Sequence, residues 1–300
     1  MNANYAIMTD AFSNLPGKLL KTLDIQILPC TYYVEDVPVQ YSGDIETFDA
    51  HTYYDQIRNG KMIRTSLVNA DLFMDAFRPV LASGKDVLYV GLSSGVSGTF
   101  QAACMAAEAM MEEFPERRIR TVDSLGASLG VGLLACRGAD LRAEGKSLDE
   151  AADMLNDERM RLCEFFTVGS LEYLRRSGRV SAATAAIGSV LNIKPLLYGD
   201  YEGHIVSCAK HRGRKRVTDA IVEKYQKLAV DAEHRRVFIS HGDCEEEAKA
   251  LGERISAIAR PKELIICPHE PFTGAHVGPG MLALYFMGTA RDEVKEKKEA

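Results

Sequence analysis

The most informative segment of the chain is Val90-Gly91-Leu92-Ser93-Ser94-Gly95-Val96-Ser97-Gly98-Thr99. It follows the apolar run Asp86–Val90, which is typical of a buried strand, and it precedes a helical pattern that starts at Thr99. Glycines allow a tight turn between the two elements, and the amide groups at a helix start carry partial positive charge. The segment therefore predicts a carboxylate or phosphate site, although a plain turn with a serine cap has the same pattern.

Outside this segment, short β-rich runs alternate with helical patterns, which predicts an α/β fold with parallel or mixed sheets covered by helices. Strands are expected at Tyr5–Thr9, Ile25–Cys30, Val87–Leu92, Ile119–Asp123, Cys163–Val168, Val237–His241, Leu264–Cys267 and Leu282–Met287. Helices are expected at Asn69–Leu81, Thr99–Phe114, Ser124–Ala143, Leu148–Arg161, Val217–Ala229 and Cys244–Ala259.

Two α/β domains are predicted, an N-terminal one over residues 1–160 and a C-terminal one over residues 161–300. No Pro/Gly/Ser-rich linker marks the boundary between them. Residues of about 27–64 interrupt the strand–helix rhythm and predict a hairpin-like excursion followed by a short helix. The run Ile193–Val206 predicts a second hairpin, with Gly199–Gly203 as its turn.

Two helix starts show the spacing of a capping box. Ser147 precedes Glu150 by three positions, and Asp243 precedes Glu246 by three. The tail Arg291–Ala300 is dense in lysine and glutamate, and it is expected to be a solvated end.

Composition excludes several classes of protein. The 300 residues are 46% hydrophobic and carry a net charge of −6, so a broad nucleic-acid footprint is not expected. No apolar run reaches the roughly 18 residues of a membrane helix, and Met1–Tyr5 shows no secretory signal. The seven cysteines are scattered without a C-x-x-C pair, which predicts neither a metal site nor a disulfide framework. We therefore expect a cytoplasmic protein that holds no metal and no cofactor.

The glycine-rich segment can instead be interpreted as one that carries a catalytic nucleophile. Gly91–Gly95 fits G-x-S-x-G, the pattern of the nucleophile elbow of α/β-hydrolases, and Asp243 and His276 follow in the order acid, histidine. Ser93 or Ser97 would then act as an esterase-like serine with His276. A short Ser/Gly-rich segment matches this pattern by chance, and no HGGG-like oxyanion segment precedes it. A nucleotide or sugar-phosphate enzyme is a third reading, but the P-loop and dinucleotide spacings are absent.

Three further positions are candidate site residues. Thr65-Ser66 precedes a helix, where the hydroxyl groups can cap the helix or contact a ligand. Asp10 ends the first strand and can either orient a site or cap the next turn. His276 lies among glycines and a proline between two apolar strands, so we expect it in a stiff irregular loop, as a hydrogen-bond donor or an acid/base group.

Two basic segments interrupt an otherwise acidic chain. Leu174–Arg179 is expected at a helix C-terminus, where cations are favoured by the helix dipole. Lys210–Arg216 concentrates lysine and arginine, which is typical of a solvated face and also suits docking of an acidic partner or a phosphate.

Taken in order, these segments resemble the DegV family of bacterial fatty-acid-binding proteins over essentially the whole chain. The segments that carry the resemblance are Met8–Asp10 with Leu15-Pro16, Thr65-Ser66, Leu92–Phe100, Val122–Ser124 with Gly130 and Gly132, Leu171–Ser181, Leu191–Pro195, Arg212–Lys215 and Ala275–Gly280.

The resemblance implies a long-chain fatty acid bound between two α/β domains, with its acyl chain in an apolar tunnel. It places the carboxylate contacts at Thr65, Ser97 and His276. Supporting positions would be Ser66, Ser94, Gly95, Gly98 and Asp10. The chain itself would not be an enzyme.

The resemblance also implies a protein partner. The family's bound acid is presented to a separate kinase subunit, which phosphorylates the carboxylate. Arg212 matches a position linked to that partnership, and Arg214 and Lys215 would share the docking surface.

The chain departs from the family pattern at two places near the expected head-group site. Residues Thr65-Ser66-Leu67-Val68-Asn69 lack the usual proline, and Ala11 replaces the usual serine after Asp10. These changes put the head-group geometry in question and leave the expected fold unchanged.

Overall fold

The computed structural model describes residues 4–181, 184 and 192–292. The strands are β1 (Tyr5–Asp10), β2 (Ile25–Leu28), β3 (Cys30–Val34), β4 (Val37–Tyr41), β5 (Ile63–Thr65), β6 (Asp86–Gly91), β7 (Ile119–Asp123), β8 (Leu162–Thr167), β9 (Ile193–Gly199), β10 (Ile205–Arg212), β11 (Arg236–His241), β12 (Glu263–Pro268) and β13 (Leu282–Met287). The helices are α1 (Gly17–Thr22), α2 (Ala50–Arg58), α3 (Ala70–Ala82), α4 (Thr99–Glu113), α5 (Leu129–Ala143), α6 (Leu148–Glu158), α7 (Glu172–Ser177), α8 (Arg214–Leu228), α9 (Glu245–Ile258) and α10 (Pro271–Val277).

The N-terminal half builds a parallel sheet in the order β2-β1-β6-β7. Its central strands β1 and β6 are almost wholly buried and apolar, as expected when helices cover both faces of a parallel sheet. The carboxyl ends of β1, β6 and β7 lie along one edge of this sheet. In doubly wound folds this edge is where ligands bind.

The C-terminal half builds a mixed sheet in the order β10-β9-β8-β13-β11-β12. Only β11 and β12 pair in parallel within it. Strands β9 and β10 form the predicted hairpin, and β10 extends to Arg212. The basic run Lys210–Arg216 therefore covers the end of a strand and the start of α8 rather than one helix face.

A third, antiparallel sheet in the order β4-β3-β5 occupies the region of residues 27–64. Glu35 and Asp36 both adopt positive φ in the tight turn between β3 and β4, which is the backbone that a two-residue hairpin turn requires. Helix α2 follows the hairpin, and β5 then ends at Thr65.

Helix α5 contacts strands of both larger sheets, including β1 and β6 in one and β11 and β13 in the other. Gly132 allows α5 to approach the turn after β1 closely, because a Cβ atom there would lie 2.6 Å from the carbonyl oxygen of Ser13. The two larger sheets separate between Asp123 and Leu162, and the division of the chain near residue 160 stays a prediction. No helix in the described part of the chain has both the length and the apolar character needed to cross a bilayer.

Two of the predicted helix starts are wrong. Helix α5 begins at Leu129 and not at Ser124, because Leu125 and Ser128 take left-handed φ angles in a turn that precedes it. Asp243 does not cap α9, since it has a φ of 59° and its side chain pairs with Arg58. Ser147 does form the predicted capping box with Glu150.

The predicted solvated tail is wrong at its first residue. Arg291 is fully buried and donates hydrogen bonds to the carbonyl oxygens of Gly199, Arg159 and Leu125 at 3.1, 2.8 and 2.5 Å. Three backbone acceptors hold this guanidinium group, which satisfies a buried cation that would otherwise be costly. Residues 293–300 of the tail, and Leu191 of the family motif, lie outside the described residues.

Candidate functional site

A cavity of about 290 Å³ lies at the carboxyl edge of the parallel sheet, beneath the face of the mixed sheet. Phe12, Leu92 and Gly126 line it just beyond the ends of β1, β6 and β7, while Phe166 and Ala283 line it from β8 and β13. Most of the wall is apolar. Such a cavity, with polar groups confined to a few points, suits a ligand with a long apolar part.

Thr65 and His276 meet at this cavity. The Oγ1 atom of Thr65 lies 3.1 Å from Nε2 of His276, a hydrogen bond between the last residue of β5 and the last turn of α10. Both residues line the cavity and both are partly buried. The structure thus brings two of the three predicted carboxylate contacts together at the cavity, and their binding of a carboxylate stays a prediction.

His276 lies on a helix, so its predicted placement in an irregular loop is wrong. Pro271 occupies the first turn of α10, where its missing amide hydrogen costs nothing, and Glu270 caps that turn. The Glu270 carboxyl group accepts hydrogen bonds from the backbone amides of Phe272 and Thr273 at 2.6 and 3.1 Å. An acidic residue followed by proline was the signal in the sequence that could have predicted this helix.

Residues of the N-terminal half hold the start of α10 in place. The hydroxyl groups of Tyr53 and Tyr54 donate to the carbonyl oxygens of Pro271 and His269 at 2.5 and 3.1 Å. The ring of Phe272 packs edge-on against Phe12, with centroids 4.8 Å apart. These contacts fix the start of the helix that carries His276 against α2 and the turn after β1.

The electrostatic setting of His276 favours its neutral form. Burial, together with the positive charge of Arg179, lowers the pKa of His276 to about 4. Arg179 also lines the cavity. The sequence predicts Arg179 only as part of a basic helix end. It does not predict that this cation lies beside the candidate head-group site.

Ser97 lines the cavity on the loop between β6 and α4. Its hydroxyl group donates to Thr99 Oγ1 at 3.0 Å and accepts a hydrogen bond from the Thr99 amide at 3.2 Å. A carboxylate bound here would therefore require the Ser97 hydroxyl hydrogen to turn away from Thr99 and toward the ligand. That rotation breaks one hydrogen bond and forms a stronger, charge-assisted one.

The expected anion site made of loop amides is largely occupied by the protein itself. The amide of Ser93 donates to the Gly126 carbonyl oxygen at 2.9 Å, and that of Ser94 to the Asp123 carboxylate at 3.3 Å. The amides of Val96 and Ser97 both donate to the carbonyl oxygen of Ser93. Hydroxyl groups, rather than this set of amides, are what the loop offers to a ligand.

The supporting positions divide into two groups. Ser66 and Gly98 line the cavity, whereas Ser94, Gly95 and Asp10 do not. A Cβ atom at Gly95 would lie 2.6 Å from the carbonyl oxygen of Glu202, so this glycine allows the loop to pack against the β9–β10 turn.

Asp10 is fully buried away from the ligand space. Its carboxylate accepts a hydrogen bond from the Phe12 amide at 3.0 Å and another from the Tyr89 hydroxyl group. Burial raises the pKa of Asp10 to about 6. The geometry therefore places Asp10 as a cap for the turn after β1.

The residues proposed for a serine hydrolase do not meet as a triad. Ser93 Oγ donates to the carbonyl oxygen of Gly203 at 2.9 Å, and Ser97 bonds Thr99. Asp243 pairs with Arg58 and with His51 instead of with His276. Among the described residues, the hydrogen bond of His276 goes to Thr65, so neither serine has a base aligned with it in this geometry.

His51, Asp55 and Asp243 bring possible metal-ligating atoms within 4.8 Å of one another. Arg58 Nη1 lies 2.5 Å from Asp243 and 2.6 Å from Asp55. The guanidinium group already supplies positive charge to both carboxylates, so this surface cluster is an ion-pair network as it stands.

The predicted docking residues lie around the start of α8. Arg212 and Lys215 are exposed, whereas Arg214 is partly buried and pairs with Glu247 at 2.6 Å. Two of the three side chains are thus presented to solvent. Arg214 is engaged within the protein.

The comparisons with known proteins agree with this fold. A family model described as an uncharacterised protein of the DegV family matches residues 4–289. A DegV domain-containing protein from Clostridium perfringens is 35% identical over 289 residues, which cover 96% of this chain and 99% of the relative.

Two solved structures are also similar. One concerns fatty acid binding of a DegV family protein from Thermus thermophilus, with a TM-score of 0.84, 28% identity, and coverage of 95% of this chain and 99% of that one. The other is DegV from Bacillus subtilis, described as a fatty acid binding protein, with a TM-score of 0.77, 25% identity, and coverage of 94% and 98%.

The matched region contains every strand of the parallel and mixed sheets. The α/β fold with parallel and mixed sheets, predicted from the sequence, is confirmed by the structure and by these neighbours. The chain belongs to the DegV family.

Proposed function

We propose that this protein binds a long-chain fatty acid, with the carboxylate at Thr65, Ser97 and His276 and the acyl chain in the apolar cavity. The observation that supports it best is the 3.1 Å contact between Thr65 Oγ1 and His276 Nε2 at the wall of that cavity. Similar proteins of the family are described as fatty acid binding.

The apolar wall and the polar residues of the site would bind different parts of the fatty acid. Burial of an acyl chain contributes about 0.8 kcal/mol per methylene group, so the apolar wall supplies most of the affinity. Hydroxyl groups and a neutral imidazole can hold the carboxylate without an unpaired cation being buried in the ligand-free protein. Arg179 adds a positive charge nearby, and it is only partly buried.

We also propose a non-catalytic role in which the bound acid is presented to a separate kinase subunit in the cytoplasm. Ser66, Leu67 and Gly98 line the cavity beside the head-group residues and are exposed, so a partner can approach the carboxylate from that side. Exposed Arg212 and Lys215 would contribute to docking. The seven scattered cysteines, without a C-x-x-C pair, are typical of a reducing compartment.

Binding is tested by titration of the protein with hexadecanoic acid, followed by calorimetry. We expect saturable binding with one acid per chain, and no saturable binding would overturn the proposal. The kinase step is tested separately, by acyl-phosphate formation with a purified fatty acid kinase catalytic subunit.

In the kinase assay, Arg212→Ala should slow acyl-phosphate formation and leave the affinity for the acid unchanged. Arg118→Ala, which removes an exposed arginine on the parallel-sheet side, is the matched control. Equal rates for wild type and Arg212→Ala would show that Arg212 does not contribute to docking.

A further inference from the structure

Among the described residues that line the largely apolar cavity, one carries a carboxyl group. Glu164 projects from β8, and its Oε1 atom accepts a hydrogen bond from the Ala127 amide at 2.9 Å. Its Oε2 atom lies 3.9 Å from Nη2 of Arg291, which is beyond hydrogen-bond distance. Arg291 donates three hydrogen bonds to backbone carbonyl groups, so it acts on Glu164 as a nearby positive charge and not as a hydrogen-bond donor.

Three glycines shape the space around this side chain. A Cβ atom at Gly130 would lie 1.7 Å from Glu164 Oε1, and one at Gly126 would lie 2.5 Å from the same atom. A Cβ atom at Gly199 would lie 3.0 Å from Oε2. The fold thus makes room for a carboxyl group at this point, where an apolar side chain would be the simpler way to extend an acyl tunnel.

Glu164 and Met281 line the cavity at points that lie well apart along the mixed sheet. Glu164 lies opposite Tyr285 in the register of β8 and β13. Met281, which also lines the cavity, precedes Tyr285 by four residues, and four residues of a strand span roughly 14 Å. His276 precedes Met281 in the chain, on the helix that leads toward β13.

One oxygen of Glu164 therefore accepts no hydrogen bond from the described residues, although the side chain is almost completely buried. An unsubstituted acyl chain packed against it would exclude water and leave that oxygen near the Arg291 charge but without a hydrogen-bond donor, which is unfavourable. A hydroxyl group on the ligand would satisfy it. Burial raises the pKa of Glu164 to about 7, so both forms exist near neutrality, and either form can bond a hydroxyl group.

We propose that Glu164 is a specificity-determining residue that favours acyl chains carrying a hydroxyl group in the half of the chain remote from the carboxylate. This inference rests on the proposed binding of a fatty acid in the cavity and specifies the class of acid that fits it. When Glu164 is ionised, its Oε2 atom accepts a hydrogen bond from the ligand hydroxyl group. When Glu164 is protonated, its carboxyl group donates a hydrogen bond to the hydroxyl oxygen.

The test compares hexadecanoic acid with its 2-hydroxy, 12-hydroxy and 16-hydroxy derivatives, each titrated into the wild-type protein. We expect the 12-hydroxy or the 16-hydroxy acid to bind at least as tightly as the parent acid. Weaker binding of both acids than of the parent acid would overturn the inference. If no acid binds at all, the proposed function itself fails, so the two failures are distinguishable.

The variant Glu164→Met keeps the length of the side chain and removes its polar atoms. We expect the preference for the better remote-hydroxy acid over the parent to fall on the order of tenfold in this variant. The 2-hydroxy acid is the matched ligand control, since its hydroxyl group lies at the head-group end and its preference should not change. His276→Ala should weaken all four acids and keep their ratios.

An unchanged preference in Glu164→Met, with parent binding retained, would also overturn the inference. Arg291 loses its counter-charge in this variant, so folding is checked by circular dichroism. If Glu164→Met does not fold, the wild-type comparison alone still decides the question.

Discussion

Thr65 and His276 are 211 positions apart in the chain, yet Oγ1 of one and Nε2 of the other are 3.1 Å apart. The contact joins the three-stranded sheet, through β5, to the helix that leads into the mixed sheet. Any loss of alignment between these parts would separate the two side chains. The head-group site is therefore sensitive to contacts far from the ligand, such as those of Tyr53 and Tyr54 with the start of α10.

Fatty acid binding should be coupled to proton uptake at His276. Its pKa is about 4 in the ligand-free protein, and a carboxylate beside Nε2 favours the charged imidazolium and raises that pKa. Because the bound form then holds more protons, affinity should rise as pH is lowered from about 7 toward about 5. Calorimetry in buffers of different ionisation enthalpy measures the protons taken up.

Glu164 titrates in the same interval, so the comparison must isolate His276. His276→Gln keeps a hydrogen-bonding side chain without an ionisable group, and it should show a smaller proton uptake than wild type. The same proton uptake in both proteins would mean that His276 does not contact the carboxylate.

Removal of the Arg179 charge should raise the pKa of His276, because that charge opposes protonation of the imidazole. In Arg179→Gln, the affinity for hexadecanoic acid should also fall on the order of tenfold, since a nearby cation is lost. NMR titration of the imidazole measures the first effect and calorimetry the second. Arg175→Gln is the control, because Arg175 is exposed on α7, which ends just before Arg179, and pairs with Glu172. A His276 pKa that stays unchanged in Arg179→Gln would contradict the assignment.

The cap of α10 should matter for both stability and binding. Glu270→Ala removes the acceptor for the amides of Phe272 and Thr273, and the free energy of unfolding should fall by about 1–2 kcal/mol. Fraying of α10 would also move His276, so binding should weaken. Denaturant unfolding and calorimetry give the two values.

Ser147→Ala is the matched control for that cap. It removes the capping box of α6 and should cost a similar free energy of unfolding without any change in fatty acid affinity. Equal affinities for Glu270→Ala and wild type would show that the position of His276 does not depend on its helix cap.

A fluorophosphonate probe should not label the folded protein. Ser93 Oγ donates to the Gly203 carbonyl oxygen and Ser97 Oγ to Thr99, so neither serine has a histidine that takes up its proton. Mass spectrometry of the probe-treated protein checks this expectation. Covalent labelling that disappears in Ser93→Ala or Ser97→Ala would instead support the hydrolase.

The sequence predicted where the main strands lie along the chain, because buried strands are short apolar runs between turn residues. Strands β7 and β13 were predicted with their observed bounds, and the bounds of the other six strands predicted individually lie within two residues of those observed. The start of α5 was missed because left-handed backbone at Leu125 and Ser128 is imposed by tertiary packing, not by residues that favour it.

Much of the candidate site was accessible through family motifs, which supplied Thr65, Ser97 and His276. The roles of Arg179 and Glu164 were not, because each depends on which distant segments share the cavity. Asp10 and Gly95, in contrast, were predicted as supporting site residues and do not line the cavity. Both lie in prominent motifs, yet their contacts are with Tyr89 and with the β9–β10 turn rather than with the ligand space.

The central claim is that Thr65, Ser97 and His276 together hold a fatty acid carboxylate. Native mass spectrometry of protein purified from a bacterial host tests it most directly, with Ser97→Ala, His276→Ala and the control His51→Ala measured alongside wild type. We predict a co-purifying mass in the fatty-acid range for wild type and His51→Ala, and a reduced occupancy for the other two. Ligand-free wild-type protein that also fails to bind added hexadecanoic acid, or equal occupancy in all four proteins, would contradict the claim.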